Sequence, residues 1–566
     1  MKLRIDELNN KIWKEKGYVL PDYDIEKVRE KTLNSPRWVH FGAGNIFRAF
    51  MVTVNDEMLN AGKSDTGIIV AEGFDEEIID AAYREYDNLN IYVELKADGS
   101  VSKRVNGSVV SSLKMSSEDY FELKEIFENK SLEMASFTIT EKGYSTVNNI
   151  DLKEKNDPYN VKSYLGKICA LLYYRYLKKY PLAMVSMDNC SKNGDRLKEA
   201  MLKIGSMWTD ESYVEKSFIQ YLQKYVSFPL TMIDKITPRP DEAVEELLTK
   251  DGIEDVKPLI TKRNSYVSAF VNAEESQYLV IEDKFPKNAF RLEGRNIFYA
   301  NRGTVEKVER MKVCTCLNPL HTCLAVFGCL LGYKKISDEM KDEDLVRFIK
   351  HVGYDEGLRF VADPKIINPR SFIDECINVR FPNPYLPDTP QRIATDTSQK
   401  LAIRFGETLK EYIKLDEVSK LKYIPLLYAG YLRYLEGIDD MGKAFERSSD
   451  PKLDSLDERM KNVRFNKEVS LQDIEAILDD KEIFGLSLIE AGLGDLIVKY
   501  LEQYGSAKKR DVRELLWDKL PEVMDDKQKE SKVKNLLAQM RRMGIITTDS
   551  ENQQKSSWIL VKDLNK

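Results

Sequence analysis

The stretch Lys312-Val-Cys-Thr-Cys-Leu-Asn-Pro-Leu-His-Thr-Cys323 gathers a lysine, an asparagine and a histidine (Lys312, Asn318, His321) at the head of an apolar run, Leu324 to Tyr333. The run reads as a buried helix, so each polar group at its start must be satisfied or used, because a buried unpaired group is costly. Used, they would serve proton transfer. The chain has three histidines, His40, His321 and His351, so few other side chains could change charge near neutral pH. The structural alternative is a cap, a snorkelling cation and a satisfied core histidine. The same stretch holds Cys314, Cys316 and Cys323. On a helix, positions 314 and 316 point about 200° apart and match no usual zinc spacing, so packed thiols are expected and no metal.

Elements that could position such a site begin at Arg37-Trp-Val-His-Phe41, a short apolar strand running into Gly42-Ala-Gly-Asn-Ile-Phe-Arg48. A strand, a Gly-x-Gly turn and a helix make the phosphate-cradling start of a dinucleotide fold, with the helix N-terminus towards the pyrophosphate. Phe47 stands where a third glycine would be. A second strand, Gly67 to Ala71, ends in Glu72 with Asp75 close behind, where a carboxylate takes ribose hydroxyls and repels a 2′-phosphate. NAD is therefore expected over NADP. Further strands are expected at Asn90–Leu95, Met134–Thr140 and Leu182–Met187, the last two ending in the polar clusters Thr140–Tyr144 and Asp188–Gly194. The candidate cofactor set is Gly42, Gly44, Asn45, Ile46, Phe47, Arg48, Glu72, Asp75, Thr140 and Lys142.

Helical periodicity marks Asp24–Leu33, Ser117–Glu128 and Val161–Tyr180, and from Arg302 onward it dominates, broken by the Pro-rich loop 380–390. The expected class is α/β: a leader at 1–34, a Rossmann-type domain at 35–300, a mainly helical domain at 301–502 and a small module at 503–566. A length of 566 residues implies several cores, and 42% apolar content is that of a folded protein. A net charge of −7 excludes a basic groove along the whole chain. No run approaches the roughly 18 apolar residues that cross a bilayer. The charged start, Met1 to Tyr18, lacks an apolar export core, and seven sparse cysteines fit reduced thiols, so a cytoplasmic protein is expected.

In series these blocks resemble the polyol-specific long-chain dehydrogenases. The resemblance rests on Phe41-Gly-Ala-Gly-Asn-Ile-Phe-Arg48, Thr138-Ile-Thr-Glu-Lys-Gly-Tyr144, Ser186-Met-Asp-Asn189 with Asn193-Gly194, Phe228-Pro229 through Asp234-Lys-Ile-Thr-Pro238, Ile281-Glu-Asp-Lys-Phe285, Leu317-Asn-Pro-Leu-His-Thr322, and Arg392 with Lys400, over about residues 35–500. It implies metal-free hydride transfer at a secondary alcohol carbon of a sugar acid or polyol. It further implies Lys312 as general acid/base, Asn318 and Asn189 as oxyanion partners, His321 orienting the substrate, and Asp234, Arg392 and Lys400 lining the pocket. The Asn-Pro-Leu-His-Thr form is most similar to the branch that reduces D-fructuronate to D-mannonate with NADH. One departure stands out. The family sets its lysine five residues before the asparagine and eight before the histidine, whereas here the gaps are six and nine, and an extra residue turns a side chain by about 100° on an ideal helix. Pro319, without an N–H, is expected to loosen the turn into a bulge that absorbs it.

Beyond Gln503 the pattern changes. Amphipathic helices at Lys508–Leu520 and Lys532–Met543 and strands at Gly544–Thr548 and Ser557–Val561 resemble a winged-helix module. Residues 505–566 carry 14 Lys/Arg against 10 Asp/Glu, which allows weak nucleic-acid contact, docking or dimerisation. A regulator with a dehydrogenase-like sensor is the competing expectation.

Overall fold

The computed structural model describes residues 1–116, 118–145, 157–287, 289–461, 463, 470–505, 507–508, 546–548 and 557–560. The chain forms two compact units, 1–311 with 362–387, and 312–361 with 388–566.

The first unit is built on six strands: β1 (Trp38–Phe41), β2 (Ile68–Glu72), β3 (Val109–Lys114), β4 (Met134–Phe137), β5 (Leu182–Ser186) and β6 (Val226–Ser227). All neighbours are parallel, in the order β3-β2-β1-β4-β5-β6. That is the doubly wound dinucleotide-binding order, and it puts the turn after β1 where the winding reverses. The strands are apolar on both faces because helices cover both. Alternate residues divide cleanly. Val39, Phe41, Ala135 and Phe137 pack under the helices Asp119–Glu128 and Tyr164–Lys178, while Trp38, Val70, Met134 and Val185 meet the helix Val52–Asn60.

The strand Asn90–Leu95 belongs to a second sheet, ordered Tyr18–Val19, Val101–Asn106, Asn90–Leu95, Phe270–Glu274. The expected leader contributes to it: Trp13 is buried edge-on against Tyr18, ring centres 5.1 Å apart, and Asp24 caps the helix Ile25–Asn34 through the Lys27 N–H. The segment 362–387, expected among the helices of the second half, also packs in this unit.

The second unit is helical. A π-helical turn, Lys312–Cys316, leads into the helix Asn318–Leu331, which Gly332 ends at φ +78°. The helix Thr397–Lys414 packs on both. The helical stretch Arg302–Leu331 is long and apolar enough to cross a membrane by length and composition alone. Yet 78% of its apolar window is buried in the protein, as in a core helix. At the C-terminus, Ala507–Lys508, Ile546–Thr548 and Ser557–Leu560 form an antiparallel three-stranded sheet, with Thr548 opposite Trp558. Both ribbon strands fall where the sequence placed them. Lys508, expected to open a helix, is in a strand, and the rest of that helix, the helix 532–543 and the turn 549–555 lie outside the described residues.

Candidate functional site

The candidate site residues fall into two groups, one in each unit. In the first, Gly42 holds φ +108° at the end of β1, and a Cβ there would overlap the Thr138 carbonyl oxygen, so only glycine fits. Around Gly44 a Cβ would meet nothing within 4 Å. The turn is therefore tight at one glycine and open over the other, the cradle a pyrophosphate needs.

Behind the turn runs a chain of hydrogen bonds through His40. The Trp38 indole N–H donates to the Ser136 hydroxyl at 2.7 Å, and the same hydroxyl lies 2.7 Å from His40 Nδ1. His40 Nε2 is hydrogen-bonded to Thr138 Oγ1 at 2.9 Å, and Thr138 donates to the Gly42 carbonyl at 3.3 Å. Burial lowers the His40 pKa to about 3 and keeps the ring neutral. Nothing in the sequence marked His40 as more than a strand residue.

Several expected cofactor contacts do other work. Phe47 is buried and stacked on His40, ring centres 4.0 Å apart. Arg48 is buried, donating to the Ser268 carbonyl at 2.7 Å, with its guanidinium over the Tyr83 ring. Asp75 accepts from Thr261 Oγ1 at 2.6 Å instead of standing free for a ribose. Asn45 donates to the Tyr266 carbonyl at 3.3 Å, and Ile46 packs beside the core. Glu72 does stand beside the glycine turn. One carboxylate oxygen accepts from Ala43 N–H at 2.7 Å and the other from the N–H groups of Gly73, Phe74 and Asp75. It thereby ties the end of β2 to the turn.

At the end of β4, Thr140 is held at φ +63°, unusual for a β-branched residue. Asp188, after β5, holds it there, accepting from the N–H groups of Thr140 (2.7 Å) and Ile139 (3.2 Å) and from the Tyr144 hydroxyl (2.6 Å). Burial raises the Asp188 pKa while the Tyr144 hydrogen bond opposes the rise. Asn189 is exposed on the same edge of the sheet. Lys142 lies in the helix Thr140–Ser145, and its side chain falls outside the described residues.

Asp234, expected in the substrate pocket, is instead locked in a buried ionic cluster. Its carboxylate meets Arg380 at 2.7 Å, and Arg380 grips Glu274 through two bonds of 2.7 and 2.8 Å. One guanidinium thus serves two buried carboxylates, and Asp234 Oδ2 is engaged within the protein.

In the second unit the expected bulge is present. The Leu317 N–H donates to the Lys312 carbonyl at 3.1 Å, five residues back, and regular bonding resumes with His321 N–H to Leu317 at 3.0 Å. A π turn takes one residue more than an α turn, so the extra residue is absorbed before Asn318. Lys312 is buried and Asn318 half-buried. His321 Nε2 lies 3.4 Å from the Asp388 carboxylate, which also pairs with Arg392. Lys400 donates to the carbonyls of Ile393 and Thr395, and burial, then the nearby Arg404, lowers its pKa. Asp388 and Arg404 were not legible beforehand: they stand far along the chain from His321, in a loop and on an ordinary amphipathic helix. Lys312, Asn318, His321, Arg392 and Lys400 thus fall in one unit, with Asp388 linking His321 to Arg392.

Residues 36–294 match the mannitol dehydrogenase Rossmann domain and residues 304–505 the mannitol dehydrogenase C-terminal domain. The chain belongs to the mannitol dehydrogenase family. Among its relatives, the D-mannonate oxidoreductase of Thermotoga maritima is 49% identical over 500 residues, 86% of this chain and 93% of that one. The mannitol 2-dehydrogenase of Phaeosphaeria nodorum is 26% identical, covering 82% and 77%. Among solved structures, a D-sorbitol dehydrogenase in substrate-free form aligns with a TM-score of 0.66 at 22% identity, covering 89% of this chain and 96% of that one. A Pseudomonas fluorescens mannitol 2-dehydrogenase ternary complex with NAD and D-mannitol aligns at 0.60 and 22%, covering 95% and 100%. The mannitol dehydrogenase fold thus accounts for both units as far as residue 505, and the terminal sheet lies beyond the matched span.

Proposed function

We propose that this member of the family is an NAD-dependent D-mannonate oxidoreductase, reducing the ketone of D-fructuronate to the secondary alcohol. The supporting observation is 49% identity to the Thermotoga maritima enzyme across nearly the whole of both chains. One hydride and one proton add across the carbonyl, and the cofactor is left oxidised. When bound, the reduced cofactor, NADH, would supply the hydride. The glycine turn at Gly42 and Gly44 would hold its pyrophosphate, and the carboxylate of Glu72 at the end of β2 would disfavour a 2′-phosphate there.

The rest is done by the chain's own groups. Lys312 gives its proton to the carbonyl oxygen as charge develops, and takes it back in the reverse direction. The amide of Asn318 would stabilise that oxygen, a contribution made only as the transition state forms. His321, braced by Asp388, orients the substrate hydroxyls.

The test sets D-fructuronate, tagaturonate and fructose side by side with NADH and NADPH. The highest kcat/KM is expected for D-fructuronate with NADH. Equal or better kcat/KM on fructose would leave a polyol dehydrogenase, and preference for NADPH would overturn the reading of Glu72.

A further inference from the structure

We propose that Arg404 reads the carboxylate of the sugar acid and sets the preference for a hexuronate over a neutral ketose. The inference rests on the reaction proposed above. A hexuronate differs from its ketose by one carboxylate, which must meet a cation. The sequence offered Arg392 and Lys400, but both are engaged. Arg392 pairs with Asp388, and Lys400 donates to two backbone carbonyls.

Arg404 lies one helical turn after Lys400 on the helix Thr397–Lys414. Its Nη1 donates to the Asn318 carbonyl at 3.4 Å and to the Thr322 hydroxyl, so it is fastened to the turn carrying Asn318 and His321. Among the described residues its hydrogen bonds all leave from Nη1, and no carboxylate lies within ion-pair distance. Nε and Nη2, the donors that match a carboxylate two-for-two, remain available.

The electrostatics agree with the geometry. Burial without a counter-ion lowers the Arg404 pKa to about 10, and Arg404 in turn depresses Lys400. A half-buried cation with no anion is poorly compensated, and an incoming carboxylate offsets that cost where a hydroxyl does not. Asp388, by contrast, is already shared between His321 and Arg392.

The experiment measures kcat/KM for D-fructuronate and fructose on the wild type, Arg404→Gln and Arg404→Lys, with D-mannonate and mannitol binding followed by calorimetry. The ratio of fructuronate to fructose kcat/KM is expected to fall roughly 10- to 100-fold in Arg404→Gln, chiefly through KM. Arg404→Lys keeps the charge without the fork and should fall between. D-mannonate affinity should drop by a similar factor relative to mannitol. Equal losses on both substrates would make Arg404 a brace for the Asn318 turn and overturn the inference, as would an unchanged ratio. A wild-type protein that reduces fructose and no hexuronate would overturn the proposed reaction itself.

Discussion

Lys312 and Glu339 are both buried ionisable groups, and they make opposite predictions. In the proposed reaction Lys312 moves the proton and has no part in the glycine turn. Lys312→Ala should therefore lower kcat by about 10²- to 10⁴-fold while NADH still binds, followed by quenching of protein fluorescence. A near-normal rate in that variant would remove Lys312 from the mechanism. Glu339 has no catalytic part. It is fully buried against Gly328, whose missing Cβ leaves room for the carboxyl, and burial raises its pKa to about 9, with Asp342 adding to the rise. Because the folded pKa exceeds the unfolded one, the folded state holds the extra proton. The stability this group contributes is complete below about pH 4.5 and is lost as pH rises towards 9. Glu339→Gln should melt higher than the wild type at pH 8, and the gap should close near pH 5. At this scale the sequence was informative where chemistry clusters locally, at Lys312, Asn318 and His321. It gave no sign of the bonds that Asp234 and Arg48 make within the protein, because an ion partner such as Arg380 or a carbonyl such as Ser268 leaves no trace near the residue it binds.

Between residues and fold stands the π turn. An α-helix with an added residue rotates everything downstream by about 100°, and the helix Asn318–Leu331 is buried along nearly all its length. The turn at Lys312–Cys316 confines the addition to five residues. Deleting Val313 should convert it to an α turn. The expected outcome is a soluble protein with a melting temperature close to the wild type and activity within about tenfold, whereas deleting Leu324 should abolish soluble expression. An inactive but well-folded Val313 deletion would show that the bulge itself sets the lysine. Pro319 and the changed spacing made this element legible in advance. The order β3-β2-β1-β4-β5-β6 was legible only in part. The glycine turn and the acidic strand end mark β1 and β2, but Asn90–Leu95 reads like any strand of the same sheet. Its pairing with Phe270–Glu274, some 180 residues away, is a long-range choice that local pattern does not record.

Across the whole molecule, the segment 362–387 returns to the first unit after the chain has entered the second. Arg380 fastens it there, bonded to Asp234 and Glu274 with all three side chains buried. Arg380→Met strands two carboxylates in the interior, a loss of about 3–5 kcal/mol, and should lower the melting temperature by several degrees. Adding Asp234→Asn and Glu274→Gln should recover much of the loss. If Arg380→Met alone melts like the wild type, the cluster carries no net stability. This return was not legible, because helical periodicity after Arg302 looks the same in either unit.

The same threading limits how the gene can be cut. A reading frame opened at Lys312 would encode the second unit together with 362–387, cut off from its partners. Phe372, Ile373, Ile377 and Phe381, all buried in the intact chain, would then face water alongside an unneutralised Arg380. Such a fragment is expected to enter inclusion bodies, and to become soluble only when those residues are replaced by a short polar linker.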